Sequence, residues 1–138
     1  MKEKLKRILL VDDDNDCNFF HKRLLTKMDC VEEVQIANNG LEALDFLSTI
    51  IDGKYPSPEI IFLDINMPRM NGWEFLEKYA MLEEDQKAKN ILIMLTTSLN
   101  PDDKILGMHH KDVKGFYNKF LSKETLSEIL VKYFPDHF

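Results

Sequence analysis

The stretch Ile60-Ile61-Phe62-Leu63 runs without a polar residue into Asp64, and Ile65-Asn66-Met67-Pro68-Arg69-Met70-Asn71-Gly72 follows. An unbroken apolar run of strand length, closed by proline, asparagine and glycine, reads as a strand buried on both faces. Strands of that kind belong to parallel sheets covered by helices on both sides. Asp64 then stands at the carboxyl end of a buried strand, where open α/β sheets place their ligand sites. Ile8-Leu9-Leu10-Val11 ends the same way, in Asp12-Asp13-Asp14. Two buried strands delivering carboxylates to one edge imply a cation site and a carboxylate open to modification.

Strand-like and helical patterns alternate five times along the chain. Strands are expected over residues 7–12, 34–37, 60–64, 91–96 and 115–119. The first helix carries Cys17, Phe20, Leu24 and Met28 at helical spacing, and the second carries Leu41, Leu44, Leu47 and Ile51. A third starts near Gly72 and carries Leu76, Tyr79 and Ala80. A fourth starts at Pro101, with Asn100 or Ser98 as cap. The last runs over residues 123–134, turns Leu126, Ile129, Leu130 and Tyr133 inward, and stops at Pro135. Asp52 to Pro58 reads as a loop, and Glu83 to Lys89 as a charged, solvated stretch. This alternation predicts an α/β fold, a doubly wound parallel sheet with right-handed crossovers.

At 138 residues the chain fits one domain. A formal net charge of −6 argues against non-specific nucleic-acid binding, which needs a basic face. No apolar run approaches the roughly 18 residues of a membrane span. The opening Met1-Lys2-Glu3-Lys4-Leu5-Lys6-Arg7 leads into a strand and not into a signal peptide's apolar region. Cys17 and Cys30 form neither a CxxC nor a metal spacing, so reduced thiols in the cytoplasm are expected.

Asp12, Asp13, Asp64, Thr96 and Lys119 all fall at the carboxyl ends of expected strands, which a parallel sheet aligns on one edge. Crowded carboxylates repel, and a hard divalent cation with oxygen ligands relieves them; Mg²⁺ suits a site with few carboxylates. Lys119 can neutralise a phosphoryl oxygen, and the Thr96 hydroxyl can donate to another. Phosphoryl transfer needs chiefly positioning and charge neutralisation, and a carboxylate such as Asp64 can form an acyl phosphate.

With Leu10-Val11-Asp12-Asp13, Phe62-Leu63-Asp64-Ile65-Asn66-Met67-Pro68 with Gly72, Met94-Leu95-Thr96-Thr97-Ser98 and Phe116-Tyr117-Asn118-Lys119 in this order, the chain resembles the receiver domains of two-component response regulators. The resemblance implies a flavodoxin-like (CheY-like) fold of strand order 2-1-3-4-5, with residues 1–138 forming one receiver domain and no output domain. It implies phosphorylation of Asp64 by a histidine kinase or a histidine phosphotransfer protein. Asp13 and Asp64 would bind Mg²⁺ directly, the Asn66 carbonyl would be a third ligand, and Asp12 would act through water. Thr96 and Lys119 would contact the phosphoryl group, and Thr96 with Phe116 would form the switch. Such a protein signals through other proteins, not through nucleic acid or membrane. It catalyses only its own phosphotransfer and dephosphorylation, and a homodimer is compatible with it. The long Asp52–Pro58 loop is similar to that of the stand-alone regulators found with bacterial phytochromes. One residue departs from the family pattern: Phe120 stands where a proline usually follows a cis peptide. A cis bond before a non-proline costs roughly 2.5–4 kcal/mol, so a trans bond is expected.

Simpler roles compete for several residues. Asp14 and Asp16 suit helix capping better than metal binding. Asp12, Asp14 and Asp16 imitate a calcium loop, but Cys17 and Arg23 stand where that loop needs glycine and glutamate. Gly40 and Gly72 read as turn glycines, Phe116 serves core filling as well as switching, and His109 and His110 read as surface residues. The rival function is a Mg²⁺-dependent phosphatase or phosphotransferase working on small molecules through an aspartyl phosphate. Haloacid-dehalogenase-like enzymes carry a second aspartate two residues after the nucleophile, where this chain has Asn66.

Overall fold

The computed structural model describes residues 4–87, 91–97 and 100–138. Residues 1–3, the end of the charged stretch at Lys89 and the cap candidate Ser98 lie outside the described residues. Five parallel strands, β1 (Leu5–Val11), β2 (Val31–Ala37), β3 (Ile60–Asp64), β4 (Ile91–Thr96) and β5 (Val113–Asn118), form one sheet in the order β2-β1-β3-β4-β5. The helices are α1 (Asn15–Met28), α2 (Gly40–Ser48), α3 (Gly72–Tyr79), α4 (Glu84–Lys87), α5 (Pro101–His109) and α6 (Lys123–Tyr133). This is the expected flavodoxin-like topology.

Strand periodicity divides the core. Leu9, Val11, Ile61, Leu63, Leu92 and Met94 point to one face, where Ala43 and Leu47 of α2 and Phe75, Leu76 and Tyr79 of α3 cover them. Ile8, Leu10, Ile60, Phe62, Ile93 and Leu95 point to the other, under Leu25 of α1 and Leu126, Ile129 and Leu130 of α6. Every residue of β3 is buried, as its composition requires. Full burial of an aliphatic or aromatic side chain is worth about 1.5–3 kcal/mol, so the central strands carry much of the stability.

Several sequence expectations shift. The inner face of α1 is Cys17, Asn18, His21 and Leu25, and Phe20 is 43% exposed. The helix rotates because Asn18 and His21 find buried hydrogen-bond partners that hydrophobic spacing does not reveal. In α2 the buried stripe is Gly40, Ala43 and Leu47; Leu41 is exposed, and Ile51 lies beyond the helix. The edge strand β2 begins at Val31, three residues before the expected start, and its exposed Glu32 and Glu33 hide the pattern. The stretch expected to be solvated contains α4, because buried Gln86 donates to Leu47 O (3.4 Å) and Ser48 Oγ (3.1 Å).

Local signals fix the helix starts as read. Asp14 caps α1, accepting from the N–H groups of Asp16 and Cys17, while Asp16 sits in the first turn, where the helix dipole favours an acid. Asn100 caps α5 ahead of Pro101. Asn71 and Glu74 close a capping box at the start of α3.

Gly72 fixes the loop after β3 against the strand end. Its N–H donates to Ile65 O at 2.7 Å, and a Cβ there would lie 2.7 Å from Asp64 O and 2.9 Å from the Ile65 Cα. Those atoms are backbone and cannot swing aside. Gly72→Ala is therefore expected to destabilise the fold by about 1–3 kcal/mol, measured by urea unfolding. A wild-type midpoint for this variant would show that the close approach is not needed.

Candidate functional site

The register brings the strand ends together. Val11 pairs with Leu63, Asp64 with Leu95, and Thr96 with Asn118, so Asp12, Asp64, Thr96 and Lys119 emerge on one edge. Lys119 Nζ lies 2.7 Å from Asp12 Oδ2 and 3.2 Å from Asp64 Oδ1. The three side chains are only 8%, 9% and 6% exposed, respectively. Asp13, next along the chain, is exposed at the rim, and Asp12, Asp13 and Asp64 each present an oxygen within 4.8 Å of the others.

Each group is held from behind. Asp12 Oδ1 accepts from Asp14 N–H at 3.0 Å, and the Asp12 carbonyl accepts from Asn18 Nδ2 at 2.8 Å. Thr96 is fully buried, and its carbonyl accepts from Lys119 N–H at 2.9 Å. Phe116 pairs with Met94 and is half-buried against the core, its ring seated over Gly107 of α5, where a methyl group would overlap it. Asn66 lies exposed in the loop two residues past Asp64. On α3 the half-buried indole of Trp73 donates to Asp103 Oδ1 of α5 at 3.4 Å, so the helix that follows the site touches α5 directly.

The electrostatics are those of a crowded acidic pocket. Burial, reinforced by the Asp12 charge, pushes the Asp64 carboxyl up to about 6, although Lys119 acts in the opposite direction. Burial pushes the Lys119 ammonium down, but Asp12 and Asp64 more than reverse this, leaving its pKa raised. Among the described residues, Lys119 meets two of the three clustered carboxylates, so the cluster keeps an excess of negative charge and offers hard oxygen donors. That donor set fits a hard divalent cation.

Two features of this neighbourhood escaped the sequence reading. The Lys119–Phe120 peptide is cis, where a trans bond was expected. Its surroundings fix both sides: Lys119 N–H is held by Thr96 O, Leu121 N–H donates to His21 Nε2 at 3.0 Å, and the Leu121 side chain is buried. The Phe120 ring also meets Phe20 edge-on at 5.2 Å. These tertiary anchors outweigh the local preference on which the expectation rested. The second feature is His21, 2% exposed, whose pKa burial lowers to about 4. Cys17, His21 and Leu25 recur every fourth residue, a signal that a purely apolar reading passes over. Cys17 is no nucleophile, since burial, with Asp12 next, pushes its thiol up to about 12.

The response regulator receiver domain matches residues 8–131. The chain belongs to this family. Among curated relatives of this receiver, Response regulator Rcp1 of Synechocystis is 36% identical over 72% of the chain and 67% of its own length. Among solved structures, a two-component response regulator from Cytophaga hutchinsonii matches with a TM-score of 0.82 and 29% identity, covering 96% of this chain and 99% of that one. The bacteriophytochrome response regulator AtBRR shares the fold, with a TM-score of 0.76 at 24% identity over 95% and 94% of the two chains. The receiver spans 40%, 67% and 75% of the length of three curated relatives. This membership makes it a signalling receiver and leaves the small-molecule phosphatase reading without support. No helix among the described residues is long and apolar enough to cross a membrane.

The raised Asp64 pKa has a consequence for stability. Between pH 3.8 and about 6 the folded state binds more protons than the unfolded state. The stability contributed by the protonated carboxyl is thus fully present below pH 3.8 and lost as pH rises through about 6. Asp64→Asn, which keeps the shape without the charge, is expected to be more stable than wild type at pH 8 by about 1–3 kcal/mol in metal-free buffer. The gap should close toward pH 4. Equal urea midpoints at pH 8 would contradict the crowding of the pocket.

Proposed function

We propose that Asp64 is the phosphoacceptor of this receiver, fed by a phosphohistidine on a histidine kinase or histidine phosphotransfer protein. The observation that carries this reading is Lys119 Nζ placed between Asp12 and Asp64, 3.2 Å from the carboxylate that would react. The Asp64 oxygen attacks phosphorus, the P–N bond breaks, and the donor imidazole leaves with the electron pair and takes up a proton. An aspartyl phosphate results. Lys119 holds a phosphoryl oxygen as a point charge, and the Thr96 hydroxyl donates to another. Burial of the pocket excludes bulk water and strengthens these interactions.

Asp13 and Asp64 would hold Mg²⁺ directly, with the Asn66 carbonyl as a third donor and Asp12 through water. When bound, Mg²⁺ neutralises the carboxylates and the incoming phosphoryl oxygens. Removing a direct ligand removes charge and geometry together. Asp13→Ala should therefore weaken Mg²⁺ binding far more than Asp14→Ala, whose carboxylate only caps α1. Parallel titrations decide this, and equal losses would undo the ligand set.

With acetyl phosphate and Mg²⁺, the wild-type protein should gain the mass of one phosphoryl group, and Asp64→Asn should gain none. Labelling of Asp64→Asn at the wild-type rate would remove Asp64 from its role, and multiple turnover of a small phosphoester would favour an enzyme instead. The protein's setting on this reading is the cytoplasm, which agrees with Cys17 and Cys30 being free, buried thiols.

The output is a change of surface. On this reading Thr96, buried at the end of β4, swings toward a phosphoryl oxygen, and Phe116 repacks behind it toward Gly107 and α5. Ile105, Leu106 and Met108 of α5 are more than half exposed and would present the altered face to a protein target. Amide NMR with a beryllofluoride mimic of the phosphoryl group should shift Phe116 and α5. Shifts confined to the loops at Asp12, Asp64 and Lys119 would leave phosphorylation standing without the switch.

A further inference from the structure

We propose that His21 is a positioning residue for Lys119, setting the reach of the ammonium from the far side of the β5–α6 loop. The inference rests on the reading of Asp64 as phosphoacceptor. Lys119 ends a strand and starts a loop, so its side chain is only as well placed as that loop. On the strand side, Lys119 N–H is fixed by Thr96 O at 2.9 Å. On the loop side, the buried Leu121 N–H needs an acceptor, and it has the imidazole Nε2 of His21 at 3.0 Å, from a residue 100 positions earlier.

The direction of that bond fixes the ring. Because Nε2 accepts, the imidazole is neutral and its proton sits on Nδ1, which faces Cys17 Sγ at 3.6 Å. Asp12 Oδ2 in turn meets Lys119 Nζ at 2.7 Å. Contacts thus run from Cys17 through His21 to the Leu121 amide, and along the loop to Lys119 and Asp12. The rings of Phe20 and Phe120 lie 5.5 and 5.6 Å from the imidazole and flank it. Residue 120 is a phenylalanine, so no ring constrains the backbone there. His21 supplies from α1 the restraint that the loop's own residue lacks.

Three variants test the role, with acetyl phosphate labelling and Mg²⁺ titration as readouts. His21→Gln places an amide oxygen where Nε2 stands. His21→Asn carries the same group too short to reach, and His21→Phe keeps a ring with no acceptor. Labelling of the Asn and Phe variants is expected to slow by about ten- to a hundredfold, the scale of an ångström-level misplacement, while the Gln variant recovers most of the rate. Mg²⁺ binding should be no weaker in any of them, because the acidic side chains stay at the carboxyl ends of β1 and β3. In the wild-type protein a two-bond nitrogen–nitrogen coupling should connect the Leu121 amide to His21 Nε2, a signal that does not depend on whether any variant folds. Absence of that coupling overturns the proposal. So does wild-type labelling of the Asn or Phe variant, or equal slowing of Gln and Asn together with weakened Mg²⁺ binding, which marks a merely structural histidine. Failure of the wild-type protein to label would overturn the phosphoacceptor reading and this inference together.

Discussion

The ion pairing of Lys119 with Asp12 and Asp64 is the constraint around which the rest of the molecule is arranged. Three charged groups, each less than a tenth exposed, cannot be left unpaired, because the cost of desolvating an isolated charge exceeds the whole stability of a domain this size. They come from three different strands, so pairing them requires β1, β3 and β5 to end level. The parallel register supplies that, and the loops beyond the strand ends are then bolted down by Gly72, Asn18 and His21. Pairing is incomplete among the described residues, since Lys119 meets two carboxylates and Asp13 stands beside them. The remaining negative charge makes the pocket receptive to a cation and, through it, to a phosphoryl group.

Such a site depends on the sheet being a rigid floor. Alternate residues of β1, β3 and β4 feed two separate cores, so a shift of one strand would disturb packing on both faces at once. The side of the sheet proposed to carry the output is built differently. α5 buries only Gly107 and lays Ile105, Leu106 and Met108 toward solvent. A helix with so little buried apolar surface is cheap to displace, and the ring of Phe116 rests directly on its one buried residue. Rigidity at Asp64 and looseness at α5 are complementary requirements of a switch.

The sequence made the central strands legible because full burial leaves no ambiguity: the observed bounds of β3 and β4 coincide with those expected. It also made the charged cluster legible, since strand ends in a parallel sheet must share an edge. What it hid were features decided by distant partners. His21 and Asn18 look like surface residues in a local window and become interior ones only when Leu121 and Asp12 come to meet them. Gln86 turns a solvated stretch into a helical turn for the same reason. The geometry of the Lys119–Phe120 peptide is likewise set by groups remote in sequence, so the dipeptide's own preference misleads.

The contact between Trp73 and Asp103 carries a practical consequence. The chain has a single tryptophan, and its indole joins the helix behind the phosphoacceptor loop to the first turn of α5. Its fluorescence therefore originates at one defined seam, between α3 and α5. An indole hydrogen-bonded to a carboxylate emits differently from one released to water. The receiver thus contains its own optical gauge of α5, readable in millisecond mixing experiments on the unlabelled protein.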